Sequence, residues 1–191
     1  MPTAITGLRT IAAVALIALA AATHSLAWLL AGLACYWVGD IADGVVARRT
    51  DTETRTGATL DILCDRLCAA FFYLAYASLH PEMLVPIVVF LCEFMVLDNY
   101  LSLAFAHWPL QSPNYFGLVD RRLYVLNWSP LGKAANSGLV AVLMLTTGLA
   151  WLVATLAVCL LVVKMYSLVR LHRLPLPQRT GCAVAAARGA H

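Results

Sequence analysis

The stretch GDIADGVVARRTDTETRTGATLDILCDR, residues 39–66, carries four aspartates in a chain that is otherwise strongly apolar. These are Asp40, Asp43, Asp61 and Asp65. Hydrophobic residues make up 62% of the 191 residues and charged residues only 12%, against roughly 25% in an average soluble domain. The composition therefore indicates a membrane protein. Four acidic side chains in such a setting need something that compensates their charge.

Apolar segments separated by short polar or turn-forming stretches divide the chain into six predicted spans. We place them at residues 8–23, 26–48, 57–79, 83–106, 133–147 and 149–171. An apolar helix crosses the hydrocarbon with about 20 residues, at 1.5 Å per residue. The expected fold class is an all-α integral membrane protein with six transmembrane helices. Residues 1–172 form one membrane domain in this prediction, and residues 173–191 form a flexible cytoplasmic tail.

The distribution of basic residues predicts the orientation of these spans. All 13 Lys and Arg residues fall on one side of the six-span arrangement or within and beside span ends on that side. The positive-inside rule then places both termini in the cytoplasm. An alternative is a cleaved signal peptide, since Arg9 precedes an apolar run with an Ala-rich end. Removal of the first span would put the termini on opposite sides and spoil the charge partition.

The spacing of the aspartates predicts two polar faces on neighbouring helices. Asp40 and Asp43 are three residues apart, which places them on one face of the second span. Gly57, Asp61 and Asp65 recur every four residues on the third span. The two spans are joined by a short loop and should form an antiparallel hairpin. The docked hairpin would bring the four carboxylates together near the cytoplasmic end.

Four ionised carboxylates at this depth would repel one another and lose hydration, so a positive charge is required. Of the basic residues close in sequence, only Arg48 shares the aspartate face; the others are Arg49, Arg55 and Arg66. Two divalent cations would balance the four carboxylates. Ligands that are all oxygen favour Mg²⁺ first and Mn²⁺ second. A pair of such ions is suited to phosphoryl-transfer chemistry.

Small residues near the aspartates leave the helix backbone accessible to a bulky ligand. Gly44 and Gly57 have no side chain, and Ala47 has only a methyl group. The alternative reading is that these residues allow close helix packing in the membrane. The motif as a whole favours the ligand-binding interpretation.

The spacing of these residues is similar to the signature of the CDP-alcohol phosphotransferase family, DxxDGxxARx8GxxxDxxxD. All eight fixed positions match, namely Asp40, Asp43, Gly44, Ala47, Arg48, Gly57, Asp61 and Asp65. The resemblance implies an enzyme that transfers a phosphatidyl group from CDP-diacylglycerol to an acceptor alcohol and releases CMP, in phospholipid biosynthesis. It also implies a homodimer. The charge partition places the active site on the cytoplasmic side, and the membrane is expected to be the inner membrane if the source is bacterial.

The resemblance also implies roles for individual residues. The first three aspartates, Asp40, Asp43 and Asp61, would hold two metal ions. The fourth, Asp65, would be the general base and borders the metals closely enough to serve as a further ligand. The positions expected to line the CDP group are Asp43, Gly44, Ala47, Arg48 and Gly57.

The acceptor is less sharply defined by the sequence. Residues 54–66 look like the phosphatidylinositol synthase branch of the family, which favours a polyol or polyol phosphate such as inositol, inositol phosphate or glycerol phosphate. Three basic residues of the fourth connection and the start of the fifth span, with Ser129 nearby, are expected to form a basic approach to the site: Arg121, Arg122 and Lys133. The alternative for the basic residues is ordinary anchoring at the headgroups.

Other polar and aromatic residues receive structural interpretations. Three ionisable residues within the fourth and sixth spans are expected to form ion pairs or hydrogen bonds between helices: Glu93, Asp98 and Lys164. For Asp98 the alternative is a role in the site, because it approaches the depth of the aspartate cluster. The aromatic residues in and beside the fourth connection are expected to anchor the chain at the membrane interface: His107, Trp108, Tyr115 and Trp128.

A transporter or ion channel is the competing function class, because intramembrane carboxylates often mark ion pathways. The aspartates, however, cluster at one end of one hairpin, and the sequence shows neither broken helices nor half-repeats. An inactive family member kept as an assembly partner is a third possibility. The complete signature argues against it.

Overall fold

The structure is a computed structural model that describes residues 2–50 and 52–177, without the side chains of Pro2, Thr3 and Arg48. All regular structure in these ranges is helical, as predicted. The α-helices are α1 (Pro2–Thr23), α2 (Leu26–Arg49), α3 (Arg55–Leu79), α4 (Leu84–Cys92), α5 (Asn99–Leu103), α6 (Arg121–Asn127), α7 (Pro130–Lys133), α8 (Leu139–Thr147) and α9 (Ala150–His172). The predicted tail lies outside the described residues from residue 178 onward.

Within residues 2–50 and 52–177, five helical segments are long and apolar enough to cross a membrane. They are Ala4–Thr23, Leu26–Ala47, Arg55–Leu79, Pro81–His107 and Ala150–His172. The prediction of an all-α integral membrane protein is confirmed. The fifth predicted span, 133–147, corresponds to the end of α7, an intervening turn and the nine-residue α8, and it is not among the five. The count of six and the orientation of the termini remain predictions.

The first helix packs along both helices of the aspartate hairpin. Contacts of α1 with α2 and with α3 are more extensive than those between α2 and α3. Gly32 permits the close approach of α1, because a Cβ atom there would lie 2.6 Å from Ile17 Cγ1 and 3.3 Å from the Ala13 carbonyl oxygen. The helix begins at Pro2, earlier than the predicted start at residue 8. Thr6 and Arg9 are therefore helical residues that lie against the hairpin.

Two wide, π-helical turns interrupt the later helices. Glu93–Asp98 follows α4, and Ala134–Gly138 joins α7 to α8. Turns of this kind redirect side chains and often occur at functional sites. Asp98 from the first turn and Asn136 from the second both reach the wall of the same cavity.

A second apolar core lies beneath the connection between α5 and α6, apart from the main core among the long helices. Phe116 packs between Trp108 and Trp128, with ring centroids 5.2 and 4.5 Å apart. Trp108 and Trp128 are only 7% and 4% exposed, so their prediction as interface anchors is wrong. Burial of these rings against one another gives the connection a core of its own. Tyr115 is exposed, and its hydroxyl donates a hydrogen bond to Glu53.

Candidate active site

A cavity of about 250 Å³ lies between the aspartate hairpin and the connection that follows α5. The hairpin contributes one wall, and the connection and the two wide turns contribute the other. Every signature position with a described side chain lines it: Asp40, Asp43, Gly44, Ala47, Gly57, Asp61 and Asp65. The side chain of Arg48 lies outside the described part of the chain. The structure thus gathers the predicted site residues of α2 and α3 around one space.

The aspartates converge as the helical spacing predicted. One carboxylate oxygen from each of Asp40, Asp61 and Asp65 lies within 4.8 Å of the other two. These three side chains are 40, 36 and 26% exposed, whereas the side chain of Asp43 is only 4% exposed. Three carboxylates are therefore partly exposed in the cavity, and the fourth, which also lines it, is buried.

A side chain that the sequence reasoning missed lies at the centre of this cluster. The Nη2 atom of Arg9 is 3.3 Å from Asp40 Oδ1, 2.5 Å from Asp61 Oδ1 and 3.0 Å from Asp65 Oδ1. The Nε atom of the same residue donates to Asp43 Oδ2 at 2.7 Å. The guanidinium group thus contacts all four aspartates. The expectation that Arg48 is the basic residue of the aspartate face must be corrected to include Arg9.

The buried aspartate is fixed by α1. Asp43 Oδ2 accepts a hydrogen bond from the Thr6 hydroxyl at 3.0 Å in addition to the one from Arg9. The positions of Thr6 and Arg9, three residues apart on α1, bring both donors to the same carboxylate. The sequence offered one signal for Arg9, an arginine inside an apolar helix, which is costly unless it is paired.

The start of α3 explains one glycine of the signature. Thr54 is the N-cap of α3, and its hydroxyl accepts a hydrogen bond from the backbone N–H of Gly57 at 3.1 Å. A Cβ atom at Gly57 would lie 2.9 Å from this hydroxyl oxygen. Because residue 57 has no side chain, Thr54 can cap the helix without a steric clash, and the backbone at residue 57 stays open to the cavity.

The cavity wall opposite the aspartates is rich in amide and hydroxyl groups. Its polar residues away from the hairpin include Ser102, Ser112, Asn114, Asn127, Asn136 and Ser137. Lys133 also lines the cavity, and its Nζ atom donates to Asn114 Oδ1 at 2.7 Å. Neutral hydrogen-bonding groups of this kind suit a ligand rich in hydroxyl groups.

The structure separates the four residues predicted for acceptor binding. Only Lys133 lies in the cavity wall. Arg121 and Arg122 are exposed at the start of α6. Ser129 is the N-cap of α7, where its hydroxyl oxygen accepts from the backbone N–H of Gly132 at 3.0 Å.

A second ionic cluster lies beside the cavity. Asp98 forms ion pairs with both Arg66 of α3 and Lys164 of α9, and none of these side chains is more than 9% exposed. The interhelical pairing predicted for Asp98 and Lys164 is confirmed. Glu93 is 1% exposed, and neither of its carboxylate oxygens has a hydrogen-bond partner among the described residues. The pairing expected for Glu93 is therefore not found there.

An ion pair between Asp120 and Arg170 joins α6 to α9. Asp120 is the N-cap of α6, and it accepts hydrogen bonds from Leu123 N–H at 2.8 Å and from Arg170 Nη2 at 2.7 Å. Burial alone would raise the pKa of Asp120, but the hydrogen bonds from Arg170 and the Leu123 backbone lower it below its ordinary value.

The aspartate cluster fits a divalent metal site on the chemistry of its donors. Its converging ligand atoms are all carboxylate oxygens, the donors that hard cations prefer. One arginine offsets only part of the charge of four carboxylates. The cluster therefore retains an excess of negative charge that bound cations would neutralise.

Comparison with known proteins identifies the family. The family model described as CDP-alcohol phosphatidyltransferase matches residues 1–165. No curated protein sequence and no solved structure matches the chain. Members of this family are metal-dependent transferases of phospholipid biosynthesis that use a CDP-alcohol and an alcohol acceptor. Because the model covers most of the chain, from α1 into α9, the chain belongs to the CDP-alcohol phosphatidyltransferase family.

Proposed function

We propose that this protein transfers a phosphatidyl group from CDP-diacylglycerol to a polyol or polyol phosphate and releases CMP. Candidate acceptors are inositol, inositol phosphate and glycerol phosphate. The observation that carries this proposal is the convergence of four carboxylates on one wall of a cavity whose other wall bears amides, hydroxyls and Lys133. The pyrophosphate of the donor and a hydroxyl-rich acceptor could thus bind in the same cavity.

Two divalent cations, Mg²⁺ or Mn²⁺, complete the proposed site. Asp40, Asp43 and Asp61 are the proposed ligands, and Asp65 borders them as a further ligand. The grouping of Asp40, Asp61 and Asp65 supports the participation of Asp65, and the burial of Asp43 makes it the least accessible of the four. Bound cations would supply neutralisation of the pyrophosphate charge.

The proposed reaction is a direct transfer. Asp65 accepts the proton of the acceptor hydroxyl while that oxygen attacks the phosphorus that carries the lipid. The bond from this phosphorus to the CMP oxygen breaks, and CMP leaves. No covalent enzyme intermediate forms in this scheme. A phosphatidylated side chain trapped and found by mass spectrometry would contradict it.

The nucleotide end of the donor is assigned to the signature positions near the start of α3. Gly44, Ala47 and Gly57 line the cavity without bulky side chains, and Asp43 lies beside them. Arg48 is proposed to donate charge-assisted hydrogen bonds to phosphate. Lys133 is proposed to meet the acceptor, and Arg121 and Arg122 to attract anionic acceptors from outside the cavity.

The proposed location is the inner membrane, if the source is bacterial, with the active site facing the cytoplasm. The partition of the Lys and Arg residues supports this orientation and the six-span count. A homodimer is proposed from the family resemblance alone.

The test is an acceptor screen with detergent-solubilised protein and radiolabelled CDP-diacylglycerol. Inositol, inositol phosphate, glycerol phosphate and serine are supplied in turn, and the lipid product and CMP are identified. We expect CMP release that depends on the acceptor and is abolished by chelation. Equal turnover after exhaustive chelation would contradict the metal site. Ion flux in vesicles without CMP release would favour the transporter alternative.

A further inference from the structure

Arg9 lies where a cation held by the aspartates would lie. Its Nη2 atom is bonded to Asp40, Asp61 and Asp65 through the same carboxylate group of each that could ligate a metal. A nitrogen and a metal ion cannot both lie at the centre of these oxygens. Accommodation of a divalent cation there requires the guanidinium group to move.

We propose that Arg9 is an internal competitor of the divalent cations, exchanging with them on the aspartate oxygens. The proposal rests on the metal site proposed above. With Arg9 in place, the carboxylates are held close together, because one guanidinium group donates to all four. Metal entry then replaces one cation by another and does not have to assemble the site.

The arginine also retains an unsatisfied donor. Arg9 Nη1 is buried and has no hydrogen-bond partner among the described residues. A buried N–H group without a partner costs stability, on the order of 1–3 kcal/mol. The position of Arg9 is therefore held by the attraction of the aspartates and not by complete satisfaction of its own donors. This is the condition under which a stronger cation can displace it.

The backbone of α2 makes room for the arginine stem. A Cβ atom at Gly39 would lie 2.8 Å from Arg9 Cδ and 2.9 Å from Arg9 Cβ. The methylene groups of Arg9 thus pack against the helix one residue before Asp40. Gly39→Ala would disturb the arginine while every carboxylate stays in the chain.

The test is a titration with Mn²⁺, followed by electron paramagnetic resonance, of the full chain in detergent at one neutral pH. We expect Arg9→Gln to lower the Kd for Mn²⁺ about tenfold, because the ion no longer competes with charge-assisted hydrogen bonds. Gly39→Ala and Arg9→Lys should lower the Kd by smaller factors. Arg49→Gln, which removes an exposed positive charge from the same end of α2, should leave the Kd unchanged.

Thermal unfolding gives a second readout on the same variants. Arg9→Gln should unfold at a lower temperature than the wild type in chelator, and saturating Mg²⁺ should remove most of that difference. Should Arg9→Gln fail to fold, the Mn²⁺ titrations of Arg9→Lys and Gly39→Ala decide the question.

An unchanged or raised Kd in the folded Arg9 variants would overturn the exchange proposal. Such a result would show that Arg9 supports the metal-bound site. Absence of saturable Mn²⁺ binding in the wild type would instead overturn the metal site itself. The two failures are therefore distinguishable.

Discussion

Two ionic clusters lie within a few helical turns of each other in this protein, and they differ in charge balance and in access. The first places Arg9 among four aspartates, three of which are 26 to 40% exposed toward the cavity. The second places Arg66 and Lys164 around Asp98, with Glu93 nearby, and its members are almost completely buried. One cluster has too few positive charges, and the other has equal formal numbers of each sign.

This difference indicates that the first cluster binds ligands and the second stabilises the fold. A buried cluster whose charges balance can hold helices together without any further ion. A partly exposed cluster with an excess of carboxylates is incomplete by itself and attracts cations. Substitutions in the first cluster should therefore chiefly lower activity, and substitutions in the second should chiefly lower stability.

The largest effect is expected for Asp65→Asn in the exposed cluster. This variant loses the proposed general base, so turnover should fall about 10²- to 10⁴-fold. Release of CMP from radiolabelled CDP-diacylglycerol measures the loss.

The matched control is Glu82→Gln, the same carboxylate-to-amide change at an exposed residue of the short turn before α4. It should leave turnover unchanged. Near-normal turnover of Asp65→Asn would show that Asp65 is not the general base. It would also argue against a catalytic role for the exposed cluster.

In the balanced cluster, Asp98→Asn should chiefly lower stability. The change leaves Arg66 and Lys164 without their shared anion, at an expected cost of about 3–5 kcal/mol in the free energy of unfolding. Reversible denaturation in detergent measures it, and added Mg²⁺ should not restore the loss.

Glu93→Gln is the control within the same wide turn. Because the carboxylate oxygens of Glu93 accept no hydrogen bond among the described residues, this change should not lower stability appreciably. Equal losses for Glu93→Gln and Asp98→Asn would mean that pairing is not what stabilises this cluster.

A smaller effect is expected where the cavity meets the acceptor. Lys133→Gln removes the one lysine of the cavity wall among the described residues and should raise the KM for a phosphorylated acceptor about tenfold. Steady-state kinetics with the acceptor from the screen measure the change. Arg122→Gln, at an exposed position outside the wall, should change this KM much less. The reverse order would place the acceptor site at α6.

The smallest effect concerns pH and the pair between Asp120 and Arg170. The lowered pKa of Asp120 means that its contribution to stability is complete above the ordinary value of about 3.9 and is lost as the pH falls through the lowered value. Asp120→Asn keeps an N-cap side chain but removes the charge. Its melting temperature should be below that of the wild type at pH 7. The difference in melting temperature should vanish in strong acid, where Asp120 is protonated. A difference that stays constant with pH would show that the charge of Asp120 does not stabilise the fold.

Local spacing made the aspartate face predictable, whereas contacts across the chain did not follow from the sequence. Asp61 and Asp65 share a face because they are four residues apart, which any helix provides. Arg9 meets them across 52 and 56 residues of sequence, through packing of α1 that no periodicity reveals. The burial of Trp108 and Trp128 likewise depends on tertiary contacts with Phe116, which the sequence pattern does not reveal.

The packing of α1 has a consequence for how the protein is made. During synthesis α1 leaves the ribosome before α2 and α3, so its arginine enters the translocon and bilayer without the acidic residues that later surround it. Arg9 is the sixth residue of the apolar segment that begins at Ala4, and the cost of an unpaired arginine, roughly 2.5–3.5 kcal/mol at the centre of an inserting helix, is smaller towards the end of the helix. The final depth of the first segment should therefore be reached only when the next two helices have arrived, and a nascent chain arrested before Asp65 should be more sensitive to membrane quality-control proteases than the full chain.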